Sequence, residues 1–268
     1  MMEEEAKFNK LLVENIKPGD AEYITISGTS SRLFTRFNPP IVLDPAVNSG
    51  YEIALYRLET FYTFPNINEK NNTLRVSVDR GKNWIDLKIP MGCYNITGVN
   101  KALQLLLGEE VKKKNFVQEK KQPYFVLSGN INTSKCVLEI SSDTTVVDFD
   151  IKNSIRSILG FEAKKYTGGK RYESENKIDI IRVHSILVHC DIINSSRVNG
   201  TLAPVLYSFA PNVSPAEQIV FQPNHLMYVP LSLSTISSIT SWITDQEGKV
   251  LDLGGERLTL AFHIRKRR

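Results

Sequence analysis

Four histidines and three cysteines are the residues of this chain best suited to nucleophilic or metal chemistry. His184 and His189 fall on one predicted strand, 178–190, five positions apart. Side chains alternate along a strand, so an odd spacing sends the two rings to opposite faces, where they cannot grip one metal ion. His189 and Asp191 share parity and can meet on one face, which fits an exposed polar pair at a strand end. Cys190 lies between them and points the other way. That makes it a poor nucleophile for His189 to activate and a good small buried apolar group. His225 and His263 have no acidic or cysteine partner nearby in sequence. The frames G-x-S-x-G, S-x-x-K with its companion boxes, and G-x-x-x-x-G-K-[S/T] are absent. Asp143, Asp148 and Asp150 cluster without the alternation and central glycine of a calcium loop, and a solvated loop leading into a helix start accounts for them. These residues predict no catalytic site, no metal, no cofactor and no enzyme.

The charges offer a different candidate. Lys and Arg number 33 against 29 Asp and Glu, a net +4, and the chain ends Arg265-Lys266-Arg267-Arg268. Without that basic tail, 265–268, the body is close to neutral. The four residues can touch nucleic acid, an acidic partner or an import receptor, or simply remain solvated. Four charges alone give weak, salt-sensitive binding. Tyr207, Phe209, Phe221, Tyr228 and Trp242 have no basic residues interleaved, so they read as core and not as a base-stacking platform.

The elements that must position such residues are mostly strands. A length of 268 residues allows one large domain or two small ones, and 41% hydrophobic content excludes overall disorder. No stretch approaches the ~18 apolar residues of a membrane span. The acidic start Met1-Met2-Glu3-Glu4-Glu5 and the odd cysteine count predict an intracellular, reducing origin. Residues 1–20 read as an N-terminal arm. Residues 73–78 and 84–89 flank Asp79-Arg80-Gly81-Lys82, a hairpin whose turn draws positive φ from Gly81. The apolar period predicts a helix over 96–107, capped by Thr97 and stopped by Gly108. A lysine-rich loop follows over 109–123, then a strand pair at 124–127 and 136–140. A helix is predicted over 150–159, stopped by Gly160, and an exposed charged loop over 162–177. The last third reads as strands at 178–190, 205–209, 226–230, 238–244 and 257–264, with Leu258, Leu260 and Phe262 on one face. About twelve strands and two or three short helices predict a β-sandwich or barrel with an α/β insertion. The regular β-α alternation of a doubly wound sheet is absent.

The order of several short motifs carries a resemblance. Ile89-Pro90-Met91-Gly92-Cys93-Tyr94-Asn95-Ile96 leads into a helix with Val99-Asn100. Val147-Asp148-Phe149, Asn153-Ser154-Ile155 and Leu159-Gly160-Phe161 follow. Ile192-Ile193-Asn194-Ser195-Ser196, Val205-Leu206-Tyr207-Ser208-Phe209, Asp245-Gln246-x-Gly248 and Gly255-Glu256-x-Leu258-Thr259-Leu260 close the series. Over roughly residues 50–265 the chain resembles the capsid proteins of Polinton/Maverick elements and adintovirus-like viruses. The best fit is their smaller, penton-type minor capsid protein.

That resemblance implies a mainly β fold, an antiparallel jelly-roll β-sandwich with a small α/β insertion. The jelly-roll capsid domain would span 21–264 and the insertion about 90–165. It further implies a homopentamer closing the vertices of an icosahedral shell beside a double jelly-roll major capsid protein, with no catalytic residues. The arm 1–20 and the loop 109–123 would reach neighbouring copies. The tail Arg265, Lys266, Arg267 and Arg268 would face packaged genome or acidic protein. The location implied is the virion capsid, with synthesis in the host cytoplasm and, as one option, assembly in the nucleus. Two related readings stay open: a carbohydrate- or receptor-binding β-sandwich virion protein using Tyr166, Tyr172 and Trp84, and a major capsid protein fragment. A cupin-like enzyme would need clustered histidines, which the spacing of His184 and His189 argues against.

Overall fold

The computed structural model describes residues 21–44, 50–114, 122–193, 196–198, 200–231 and 233–267. The predicted arm, 1–20, lies outside them, as does Arg268. The chain divides into two compact units. One comprises Met1–Tyr62 with Val183–Arg268, the other Thr63–Arg182.

The first unit opens with β1 (Ala21–Gly28), β2 (Arg32–Val42) and β3 (Tyr51–Phe61). The second holds β4 (Thr73–Ser77), β5 (Ile85–Lys88), α1 (Ile96–Lys113), β6 (Phe125–Asn130), β7 (Lys135–Ile140), β8 (Val146–Asp148), α2 (Arg156–Leu159), β9 (Lys165–Thr167) and β10 (Arg171–Lys177). The chain then returns to the first unit with β11 (Ile186–Cys190), the short pair β12 (Arg197–Val198) and β13 (Thr201–Leu202), β14 (Val205–Phe209), β15 (Gln218–Phe221), β16 (Val229–Pro230), β17 (Thr235–Thr244) and β18 (Leu258–Lys266).

Two antiparallel sheets build the first unit. One runs β1-β18-β3-β15, with β16 also on β3; the other runs β14-β11-β17-β2. Count the eight main strands β1, β2, β3, β11, β14, β15, β17 and β18 in that order. The first then pairs with the eighth, the second with the seventh, the third with the sixth and the fourth with the fifth. Such nesting is one long hairpin wrapped over itself, the jelly roll. The inner face of the first sheet is apolar in register: Ile24 opposes Phe262, Ile26 opposes Leu260, and Leu260 and Ile264 oppose Leu58 and Ile53. Leu258, Leu260 and Phe262 are fully buried there, as their alternation requires.

On β3 the buried residues Ile53, Leu55, Leu58 and Thr60 break strict alternation between Leu55 and Leu58. The register explains this. Ala261 opposes Arg57 but Phe262 opposes Leu55, so Tyr56 is an extra residue. The resulting bulge resets parity and keeps both halves of the strand facing inward. Across the sandwich, Ile186, Val188 and Cys190 of β11 and Ile239 and Ile243 of β17 are buried. The sheets close on each other at one edge, where the rings of Phe209 and Phe221 stack 3.9 Å apart.

The predicted strand 178–190 begins only at Ile186, because residues up to Arg182 belong to the other unit. His184 therefore precedes the strand that carries His189, and the two do not share an element. The final strand runs two residues past its predicted end, so Arg265 and Lys266 pair with Glu52 and Tyr51 and are not a free tail.

In the second unit the sheets are β5-β4-β8-β9 and β10-β7-β6. The hairpin β4–β5 forms as its alternation predicts, with Leu74 opposite Leu87 and Val76 opposite Ile85. Arg80 and Gly81 take φ of 63° and 83° in the turn. The compact unit is wider than the insertion predicted at about 90–165. Leu74, Val76, Ile85 and Leu87 pack into one core with Val99, Leu103 and Leu107 of α1, which draws the hairpin into this unit.

Three local expectations change for physical reasons. Asn95, not Thr97, caps α1: its Oδ1 accepts the Gly98 N–H at 2.7 Å. Gly108 does not stop the helix, because burial of Val111 extends the stripe Val99, Leu103, Leu107 by another turn. A mid-helix glycine costs only about 1 kcal/mol. The predicted loop over 109–123 is thus helical as far as Lys113, and 115–121 lie outside the described residues.

The predicted helix 150–159 shrinks to Arg156–Leu159, since Asn153 adopts φ of 57° and interrupts any helix before it. The charged stretch 162–177 is not a loop but β9 and β10. Each has solvated charges on one side and a buried residue on the other, Tyr166 and Ser174.

Candidate functional site

Two of the four histidines, His189 and His263, sit on the roll sheets, while His184 and His225 lie outside the strands. His189 of β11 opposes Trp242 of β17, and Trp242 opposes Arg32 of β2. Adjacent strands lie about 4.8 Å apart, the natural distance for stacking across them. The imidazole lies parallel to the indole at 4.9 Å, and the Arg32 guanidinium covers the same indole at 4.6 Å. His189 Nε2 meets Thr244 Oγ1 at 2.9 Å, while its buried Nδ1 has no partner among the described residues. Burial, aided by the nearby Arg32 charge, pulls its pKa down to about 4. A histidine held neutral and wedged against an indole is a packing group.

The other sheet repeats the theme. His263 of β18 packs against Tyr23 of β1 at 4.6 Å, and its Nδ1 meets the Tyr228 hydroxyl at 2.7 Å. Burial first, then Arg265, lowers its pKa. Arg265 covers the Tyr228 ring at 3.5 Å and its Nε donates to Glu52 Oε1 at 2.7 Å. So the first residue of the predicted basic tail is engaged in a partly buried ion pair. The Arg267 N–H donates to Gly50 O at 2.9 Å. Lys266 is in β18, and Arg268 lies outside the described residues.

Nucleophilic chemistry finds no support in the thiols. Cys190 and Cys136 are buried and burial pushes each thiol up to about 12, with Cys93 up to about 11. Such thiols stay protonated and unreactive at neutral pH. Among the described residues no cluster of three His, Cys, Asp or Glu side chains forms that could hold a metal ion. Asp148 is not solvated as the sequence suggests: it is buried at the end of β8 and accepts the Asp150 N–H at 2.9 Å. Asp143 accepts the Gly169 N–H at 2.9 Å.

The aromatic residues divide. Phe209 is core, as predicted. Trp242 and Tyr228 are half-buried and each carries an arginine over its face, Arg32 and Arg265. Reading along the chain misses these pairs, because the cations come from other strands. Of the aromatics expected on loops, Tyr166 is buried against Phe149 and Phe161, with its hydroxyl on Glu175. Trp84 is half-buried with Lys165 5.0 Å from its ring centre. Among the described residues no helix is long and apolar enough to cross a membrane.

The roll, with a large insertion between its third and fourth strands, defines a single jelly-roll fold in which the two sheet histidines are packing groups. No family model matches the sequence, and no curated protein sequence does. Among solved structures, the mavirus penton protein matches with a TM-score of 0.51 at 11% identity, covering 92% of this chain and 99% of that one. A chain of the Sputnik virophage structure matches with a TM-score of 0.43 at 14% identity, covering 92% and 98%. The fold shared with the mavirus protein bears out the expected jelly-roll class.

Proposed function

We propose that this chain is a penton subunit: a structural, non-enzymatic component of an icosahedral capsid that assembles as a homopentamer at the vertices. In this reading its partners are further copies of itself and a double jelly-roll major capsid protein, and its location is the virion. One observation supports it above the rest. The match to the mavirus penton protein takes in 92% of this chain and nearly all of that one, so it extends well beyond the roll. A heterologous ring needs two different surfaces on one subunit. The arm 1–20 and the segment 109–123 are further contacts in this reading. Lys266, Arg267 and Arg268 are its candidates for touching packaged genome or acidic protein. The receptor-binding alternative loses one of its aromatics, since Tyr166 is buried.

The test is native mass and imaging of the purified chain, alone and co-expressed with a major capsid protein. A species of five times 30.3 kDa and density at shell vertices are expected. A chain that stays monomeric and never enters shells overturns the reading.

A further inference from the structure

We propose that the outer face of the β14-β11-β17-β2 sheet binds single-stranded nucleic acid, through Arg32, Phe34 and Arg36 of β2. These alternate residues share the solvent side of an edge strand, while Leu33 between the first two is buried. Register sets Trp242, Thr240 and Ser238 of β17 beside them in turn. Phe34 is 66% exposed, at a position where a solvated sheet face normally carries a polar side chain. Neither arginine has a carboxylate partner among the described residues.

Alternate strand residues lie about 7 Å apart, so the column reads cation, ring, cation at that interval. A flat exposed ring offers a stacking surface to any base, and flanking guanidiniums meet phosphates on either side. The hydroxyls of Thr240 and Ser238 add hydrogen-bonding groups beside the ring. Asp191, two strands over, already accepts the Thr240 N–H at 2.9 Å.

A second copy of the chain is the competing occupant, and charge decides against it. The opposite roll sheet offers Glu22, Glu52 and Glu59, of which Glu52 and Glu59 already pair with Arg265 and Arg57. Docking there would strip water from Arg32 and Arg36 with a single uncommitted carboxylate, Glu22 at the end of β1, to meet the two of them, so at least one guanidinium would be left unpaired, which is costly. The β17–β18 connection carries Asp245, Glu247, Asp252 and Glu256. It meets the Arg32 end of this same β2, where Ser31 donates to Leu251 O. The occupant must therefore bring negative charge and flat rings of its own.

The inference goes beyond the vertex reading and stands without it, because it can be measured on the full chain in any oligomeric state. The probe is a short fluorescein-labelled oligothymidine, followed by anisotropy between about 50 and 200 mM salt. Removing two phosphate contacts in R32Q/R36Q is expected to weaken binding at least about tenfold and to flatten the log–log salt slope by about 1.4. F34S is expected to weaken it about tenfold with the slope unchanged. Unchanged unfolding transitions would show that these surface variants fold. Oligonucleotide affinity unaltered by both variants overturns the proposal, as does complete loss of binding in K266Q/R267Q alone. Loss of self-association with affinity intact also overturns it, making the face a protein contact. The vertex reading fails separately, by mass and imaging.

Discussion

The side-chain amide of Asn66 donates a hydrogen bond to the carbonyl oxygen of Ile180 at 2.7 Å, across 114 residues of chain. The same amide nitrogen reaches Tyr94 O at 2.6 Å, and Asn66 Oδ1 accepts the Tyr94 N–H at 2.9 Å. Asn66 is buried, near the start of the inserted unit, and Ile180 is near its end. One side chain thus ties the entering and leaving segments of the insertion together. Asn66→Leu should destabilise the protein by about 2–4 kcal/mol, because one buried and two part-buried backbone groups lose partners at about 1 kcal/mol or more each. Urea unfolding of the two proteins measures the difference. A change below about 1 kcal/mol would mean that water replaces the amide.

Gly108→Ala should stabilise the protein by about 0.5–1 kcal/mol. The residue lies inside α1, and an added Cβ would have nothing within 4 Å. A helix that ended at Gly108 would instead use that glycine as a terminator and lose stability on substitution. Thermal unfolding decides the sign.

These two positions show what the sequence reveals and what it hides. Strict alternation made the β4–β5 hairpin and the inward face of Leu258, Leu260 and Phe262 legible, because each strand carries its own face pattern. Asn66 was illegible: its partners are backbone groups distant in sequence. The helix runs past Gly108 because glycine is a weak stop against one more buried contact, here Val111. The strands β9 and β10 vanished behind charge, since Tyr166 and Ser174 are the only residues each buries. On the candidate faces, His189 and Trp242 lie 53 positions apart and stack only because β11 and β17 are neighbours. Arg32 joins them from a third strand, so no local motif exists to be found.

Gly160→Ala should be among the most destabilising single substitutions, costing about 3 kcal/mol or more. Gly160 caps α2 with φ of 83°, and a Cβ there would lie 2.3 Å from Asn176 O. That oxygen belongs to the backbone of β10 and cannot rotate away. The Asn176 N–H also donates to Gly160 O at 2.9 Å, so moving the strand breaks a hydrogen bond. Urea midpoints for Gly160→Ala and the unstrained Gly108→Ala should move in opposite directions. Movement in the same direction would contradict the close approach.

Stability should fall as pH drops from about 6.5 to about 4. His189 stays neutral in the folded protein down to about 4, whereas the unfolded chain takes up its proton near the ordinary histidine value of 6.5. Between those values the unfolded state binds more protons, so each step down in pH favours unfolding. His263, also lowered by burial, adds in the same direction. His189 alone should contribute on the order of 2–3 kcal/mol across this window, at about 1.4 kcal/mol per pH unit. Above the window both rings are neutral in both states and the contribution is flat. The carboxylates Asp79 and Glu175, each lowered to about 2 by hydrogen bonds, act below it: their stabilisation is present above about pH 4.5 and lost as pH falls towards 2. His189→Phe keeps a ring against Trp242 but cannot titrate. Urea midpoints measured at steps from pH 7 to 4 should therefore slope steeply for the wild type and less steeply for His189→Phe. Equal slopes would show that His189 is protonated in the folded state after all, and that the imidazole is not sealed between Trp242 and Thr244.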